Sequence, residues 1–106
     1  MRMTPQQQST LTEAVRRRFG PTGRLWVFGS RLDEQARGGD FDIMIRCDDA
    51  DATRLLEAKL NLLADLHANA AFEDERIDVV LFSQKLDPEP RAIHRAALEH
   101  GVELPL

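Results

Sequence analysis

An α/β (α+β) architecture, one small β-sheet layer flanked by helices, follows from three features of the sequence. Three short apolar runs, Leu25–Phe28, Phe41–Ile45 and Ile77–Phe82, have the length of strands. Longer stretches with apolar residues at helical spacing separate and flank them. Glycine and proline clusters punctuate the junctions. The resulting order is α-β-(α)-β-α-β-α, a sheet covered by helices.

The elements follow in turn. Ser9 and Thr10 are cap candidates for a first helix through about Phe19, with Leu11, Val15 and Phe19 on one face. Arg16, Arg17 and Arg18 lie mostly beside that stripe and read as a solvated face. Gly20-Pro21-Thr22-Gly23 ends the helix. Arg24 to Phe28 is the first strand, and Ser30 to Arg37 is expected to form one or two helical turns. Gly38-Gly39 is a turn before the strand Phe41 to Ile45. The acidic run Asp48-Asp49-Ala50-Asp51 suits the positive end of a helix dipole. That helix is expected to reach about Ala68, with Leu55, Leu56, Leu60, Leu63 and Leu66 on its apolar side. Ile77 to Phe82 is the third strand. Pro88 and Pro90 precede a last helix from about Arg91 to His100, ended by Gly101.

Composition narrows the function classes. At 106 residues the chain is one domain, able to bury a modest core without disulfides. The net charge of −4 argues against a broad nucleic-acid footprint. No apolar stretch is long enough to span a membrane, and residues 1–8 carry no apolar signal core. Cys47 is the only cysteine, which rules out an internal disulfide and makes a cytoplasmic location the expectation. No Walker A or dinucleotide fingerprint occurs. His67, His94 and His100 lack a metal-ligand spacing and are expected at surfaces or helix ends. Glu73-Asp74-Glu75 reads as a solvated loop.

Three carboxylates stand where strands should be apolar. Asp40 and Asp42 flank Phe41, and the alternation of strand side chains sends both to one side. Asp78 lies between Ile77 and Val79, on the face opposite Ile77, Val79 and Leu81. If the two strands are neighbours, the three can converge. Two carboxylates about 6 Å apart repel by roughly 2–3 kcal/mol at an effective dielectric near 20. A hard divalent cation relieves that conflict, and Mg²⁺ suits it best because it combines carboxylates with water and substrate phosphates. A pair of such ions can clamp the attacking and leaving oxygens of an in-line phosphoryl displacement. Upstream, Gly29 lets the backbone approach a ligand closely, and Ser30 offers a hydroxyl and an N–H where a helix would begin.

Phe28-Gly29-Ser30, nine intervening residues, then Asp40-Phe41-Asp42-Ile43 and the later strand residue Asp78 are similar to the DNA polymerase β-like nucleotidyltransferase superfamily. The stretch from Phe28 to Ile43 resembles its short bacterial MNT branch, the minimal nucleotidyltransferases, although the serine-to-aspartate spacing is one residue shorter than in the most familiar members. The resemblance implies a small mixed β-sheet of the polymerase β-like kind. It implies that Gly29 and Ser30 bind the β- and γ-phosphates of a nucleoside triphosphate, with Arg31 either assisting or lying on a helix surface. It implies that Asp40 and Asp42 ligate two Mg²⁺ ions, and that Asp78 ligates the catalytic ion and helps deprotonate the acceptor hydroxyl. The expected activity is transfer of a nucleoside monophosphate, AMP from ATP, to a hydroxyl. Such chains typically pair with an all-helical HEPN protein encoded next door, many as toxin–antitoxin modules in which the MNT chain adenylylates a tyrosine of the toxin. The alternatives are an antitoxin that acts by binding alone, and the catalytic chain of a two-chain small-molecule nucleotidyltransferase. The chain contains no tyrosine, so a tyrosine acceptor must be on another molecule. The nucleotide base and the oligomeric state, an oligomer included, stay open.

Overall fold

One strand sits between neighbours of opposite sense, and this fixes the sheet. In the computed structural model, which describes residues 1–106, the elements are α1 (Pro5–Phe19), β1 (Arg24–Phe28), a 3₁₀ turn (Gly29–Leu32), β2 (Phe41–Arg46), α2 (Ala52–His67), β3 (Ile77–Phe82), α3 (Ala92–His100) and β4 (Val102–Leu104). The strand order is β3-β2-β1-β4. β2 runs antiparallel to β1 and parallel to β3, while β4 pairs antiparallel with β1. A parallel neighbour requires a crossover, and α2 supplies it. The chain is therefore an α+β fold with a four-stranded mixed sheet flanked by helices.

Alternation along the strands divides the core in two. Leu25, Val27, Phe41, Ile43, Ile45 and Val79 face α1 and α2 and pack with Leu11, Val15, Phe19, Leu62 and Leu66. Trp26, Phe28, Met44 and Phe82 point the other way, against Ala97 of α3. Charge pairs join the elements at the periphery. Arg18 donates to both oxygens of Asp65 at 2.6 and 2.8 Å, tying α1 to α2. Arg24 does the same to Glu103 at 2.9 and 2.8 Å, tying β1 to the short β4.

Three expectations are corrected. α1 begins at Pro5, before Ser9 and Thr10, because Thr4 and Gln7 close a capping box: Gln7 N–H donates to Thr4 Oγ1 at 3.0 Å, and Thr4 N–H donates to Gln7 Oε1 at 3.1 Å. Pro5 then occupies the first helical position, where its missing N–H costs nothing. On α2 the buried side is Leu55, Ala58, Leu62 and Leu66, whereas Leu56 and Leu60 are 54% and 58% exposed and Leu63 is half-buried. A leucine-rich helix carries two apolar stripes, and the small Ala58 marks the one that reaches the sheet. β4 was not expected. Its three residues are too few to show alternation, and only Leu104 is buried.

No helix is long and apolar enough to cross a membrane.

Candidate functional site

The parallel register of β2 and β3 sets Asp42 directly opposite Asp78. Directly paired residues project to the same face of a sheet. Asp42 and Asp78 therefore share the α3 side, opposite the face taken by Phe41, Ile43 and Val79. On its other flank Asp42 is paired with Phe28, the last residue of β1, so the chain turns into Gly29 beside it. Gly29 adopts φ +77°, a left-handed conformation that side chains disfavour. A Cβ there would collide with Asp42, lying 3.0 Å from its Cγ and 3.2 Å from its Cβ. Glycine is thus required twice over, for its torsion and for the space Asp42 takes.

Asp42 is the electrostatic centre of the group. Its carboxyl is pushed above the ordinary carboxylate range, first by burial, then by the negative charges of Asp78 and Asp40, with a further contribution from a hydrogen bond to Asp78. Asp40 stands one residue before β2. Its Oδ1 is 3.9 Å from Nε of Arg76, whose side chain is 87% exposed, so this ion pair is weak. The side chains do not form a closed cage of three or more ligands. The arrangement is an opposed pair, Asp42 and Asp78, with a third carboxylate within electrostatic reach and turned partly toward Arg76.

Ser30 is exposed and lies in the 3₁₀ turn. Its hydroxyl donates weakly to the carbonyl of Asp40 at 3.5 Å, which carries the Gly29-Ser30 turn across to the start of β2. Gly39, at φ +88°, leaves room for that hydroxyl: a Cβ on Gly39 would come within 2.5 Å of Ser30 Oγ. Of the one or two helical turns expected between Ser30 and Arg37, a single 3₁₀ turn forms over Gly29–Leu32, and its four residues are too few to develop a helix dipole. Ser30 offers its own hydroxyl and N–H.

Arg31 is placed apart from the other candidates. Its guanidinium lies 3.9 Å above the Phe41 ring and donates to Glu75 at 3.0 Å, with the side chain only 12% exposed. Phe41 faces the core opposite the Asp42 side, so Arg31 is committed behind the sheet and lies neither at the carboxylates nor on a helix surface. Glu75 is accordingly a partly buried ion-pair partner and not a freely solvated loop residue. His94 lies at a helix end, as expected, in the first turn of α3, but not at the surface. It is fully buried, stacks on Phe82 with centroids 4.5 Å apart, accepts the Arg91 N–H at Nδ1 (3.1 Å) and bonds the Leu81 carbonyl through Nε2 (3.1 Å). Cys47 is buried beside Asp49, and burial raises its thiol above the usual value, which suits an inert residue.

Two contributors escaped sequence reasoning. Arg76 is a charged residue in a loop, with no pattern to connect it to Asp40. Arg2 lies upstream of every recognisable element, yet its guanidinium reaches Ser30, Asp33 and Gly38. The surface cavities lie elsewhere: around Met3, Gln8 and Pro105, between Arg17 and Arg54, and beside Pro21 and Leu106. The carboxylates occupy an open sheet end. No family model matches this sequence, and no curated protein matches it.

Proposed function

We propose that this chain is a Mg²⁺-dependent nucleotidyltransferase, which moves AMP from ATP to a hydroxyl on a partner protein. The observation that carries the proposal is the facing of Asp42 and Asp78 across a parallel strand pair, with Asp40 beside them, Gly29 abutting Asp42 and the Ser30 hydroxyl reaching the Asp40 carbonyl. An unpaired acidic pair with one member's carboxyl pushed up is an arrangement a hard cation relieves, and its donors are the oxygens Mg²⁺ prefers. When bound, Mg²⁺ neutralises charge on the triphosphate and on the developing transition state.

The chain's own residues supply the rest. Ser30 hydrogen-bonds the β- and γ-phosphates through its hydroxyl and N–H, and Gly29 keeps the backbone close enough for that contact. Asp40, Asp42 and Asp78 would hold the metal, and Asp78 accepts the proton of the acceptor hydroxyl. The acceptor oxygen then forms a bond to the α-phosphorus, the α–β bridging P–O bond breaks, and pyrophosphate leaves. Arg31 contributes by supporting Phe41 from behind.

The open site favours an acceptor carried by a second molecule, since this chain has no tyrosine and no deep cavity at the carboxylates. The sequence resemblance favours a helical HEPN-type protein, with this chain as the antitoxin of a cytoplasmic toxin–antitoxin pair. The test is to incubate the chain with ATP, Mg²⁺ and the protein encoded beside it, and to follow the partner by intact mass. An AMP adduct formed by wild type and lost in Asp42→Asn is the expected result. A partner that is inhibited but unmodified, equally by wild type and Asp42→Asn, would replace catalysis with occlusion. AMP appearing on a small hydroxylated acceptor would keep the chemistry and change the substrate.

A further inference from the structure

We infer that Arg2 is a positioning residue for the proposed nucleotide site: it clamps the two ends of the Gly29–Gly39 loop so that Ser30 and Asp40 are presented together. This inference rests on the nucleotidyltransferase reading of the site.

The loop between β1 and β2 needs such a clamp. After the 3₁₀ turn it contains no regular structure until Phe41. Its internal backbone bonds are few, Asp33 N–H to Ser30 at 3.1 Å and Ala36 N–H to Asp33 at 3.3 Å, and neither reaches Gly38 or Gly39. The second half ends in Gly38 and Gly39, both at positive φ, the residues with the most backbone freedom to lose.

Arg2 joins the halves. Its Nη2 donates to Ser30 O at 2.9 Å and to Gly38 O at 2.8 Å, and its Nε donates to Asp33 O at 2.8 Å. Its own N–H donates to Arg31 O at 2.7 Å, which lays the chain before α1 along the turn. The adjacent Met1 amino group pairs with Glu34 of the same loop. Carbonyls from the start, the middle and the end of the loop therefore converge on one guanidinium. Bringing Gly38 to Ser30 is also what brings Gly39 against Ser30 Oγ and Asp40 O within reach of that hydroxyl. A planar fork of donors can span three carbonyls at fixed angles, and an ammonium on a flexible stem cannot. The Nε and Nη2 donors are spent on backbone carbonyls, which ties the guanidinium to the loop that carries Ser30.

Arg2 lies outside α1 and outside both core clusters, so its replacement leaves the fold standing. The experiment compares wild type, Arg2→Ala and Arg2→Lys by hydrogen exchange, by calorimetric titration with MgATP, and by steady-state AMP transfer. Exchange in residues 30–39 of Arg2→Ala is expected to accelerate, with β1, β2 and α2 unchanged. MgATP affinity is expected to fall about tenfold or more, as the loss of several charge-assisted hydrogen bonds implies. The loss is expected in KM more than in kcat, with Arg2→Lys recovering only part of it. Unchanged loop protection in Arg2→Ala would overturn the clamp. Faster exchange with unchanged MgATP affinity and KM would overturn its link to the nucleotide. Wild type that fails to bind MgATP would overturn the reading of the site itself, and the exchange measurement would still decide whether Arg2 holds the loop.

Discussion

Gly29 and Asp42 occupy mutually exclusive space: a Cβ on the first would collide with the carboxylate of the second. The contact joins the end of β1 to the central acid of the site, and it is reinforced by the φ of +77° at Gly29. Gly29→Ala is therefore expected to cost about 1–3 kcal/mol of stability, combining an unfavourable torsion with the displacement of Asp42. Transfer activity should fall further than stability does, because the displaced group is a metal ligand in the proposed mechanism. Thermal denaturation alongside a transfer assay checks both. An alanine variant that keeps full activity would show that Asp42 need not sit where it does.

The raised carboxyl of Asp42 gives a pH signature with a definite sign. Its folded-state value lies above the ordinary 3.8 expected when unfolded. Between those two values the native state binds the extra proton, so stability falls as pH rises through that window, and the penalty persists at all higher pH. Asp42→Asn removes it. In metal-free buffer the variant is expected to match or exceed wild type in Tm at pH 7, and to lose that advantage below the ordinary carboxylate value. Mg²⁺ at ten times its Kd should add about 1.4 kcal/mol to wild type, on the order of 5 °C for a chain this size, and little to Asp42→Asn. Equal Mg²⁺ shifts in both proteins would remove Asp42 from the ligand set.

What the sequence disclosed, and what it withheld, follows the physics of each signal. Strands β1 and β3 have the expected bounds and β2 runs one residue further, because each is a contiguous apolar run between glycine- or acid-marked ends. Asp42 and Asp78 were legible as candidates, two acids out of place in such runs. Their register was not, because it depends on the parallel pairing that α2 makes possible. Arg31 sits next to Ser30 in sequence and was grouped with it, yet a side chain's direction out of a 3₁₀ turn is not encoded by adjacency. The choice between the Leu55 and Leu56 stripes on α2 needed the position of the sheet. Arg2 carried no local pattern, since all its partners are about thirty residues away.

Arg31 is expected to behave as a structural residue. Its removal leaves Glu75 partly buried without a partner and uncovers the Phe41 ring. Arg31→Ala should destabilise the chain by about 1–3 kcal/mol through the lost charged hydrogen bond and cation–π contact. Below its lowered Tm, its KM for MgATP should stay within about threefold of wild type, a change of well under one kcal/mol in binding. A tenfold rise in KM with the fold intact would put the guanidinium back at the phosphates.

His94 offers a test of the α3 side of the sheet that is independent of any function. Its ring is wholly buried, its Nδ1 accepts from Arg91 N–H, and its Nε2 bonds Leu81 O, the main-chain oxygen of the strand that carries Asp78. These two partners fit the neutral ring with its proton on Nε2. Stacking on Phe82 fills the remaining face. His94→Ala opens a cavity and leaves a buried carbonyl and an N–H unpaired, which together cost about 3 kcal/mol. For a domain of this length, that lowers Tm by on the order of 10–20 °C. His94→Phe restores the volume and the stack without the hydrogen bonds, and is expected to recover part of the loss and no more. A phenylalanine variant as stable as wild type would show that packing against Phe82, and not the link from α3 to β3, is what holds this helix on the sheet.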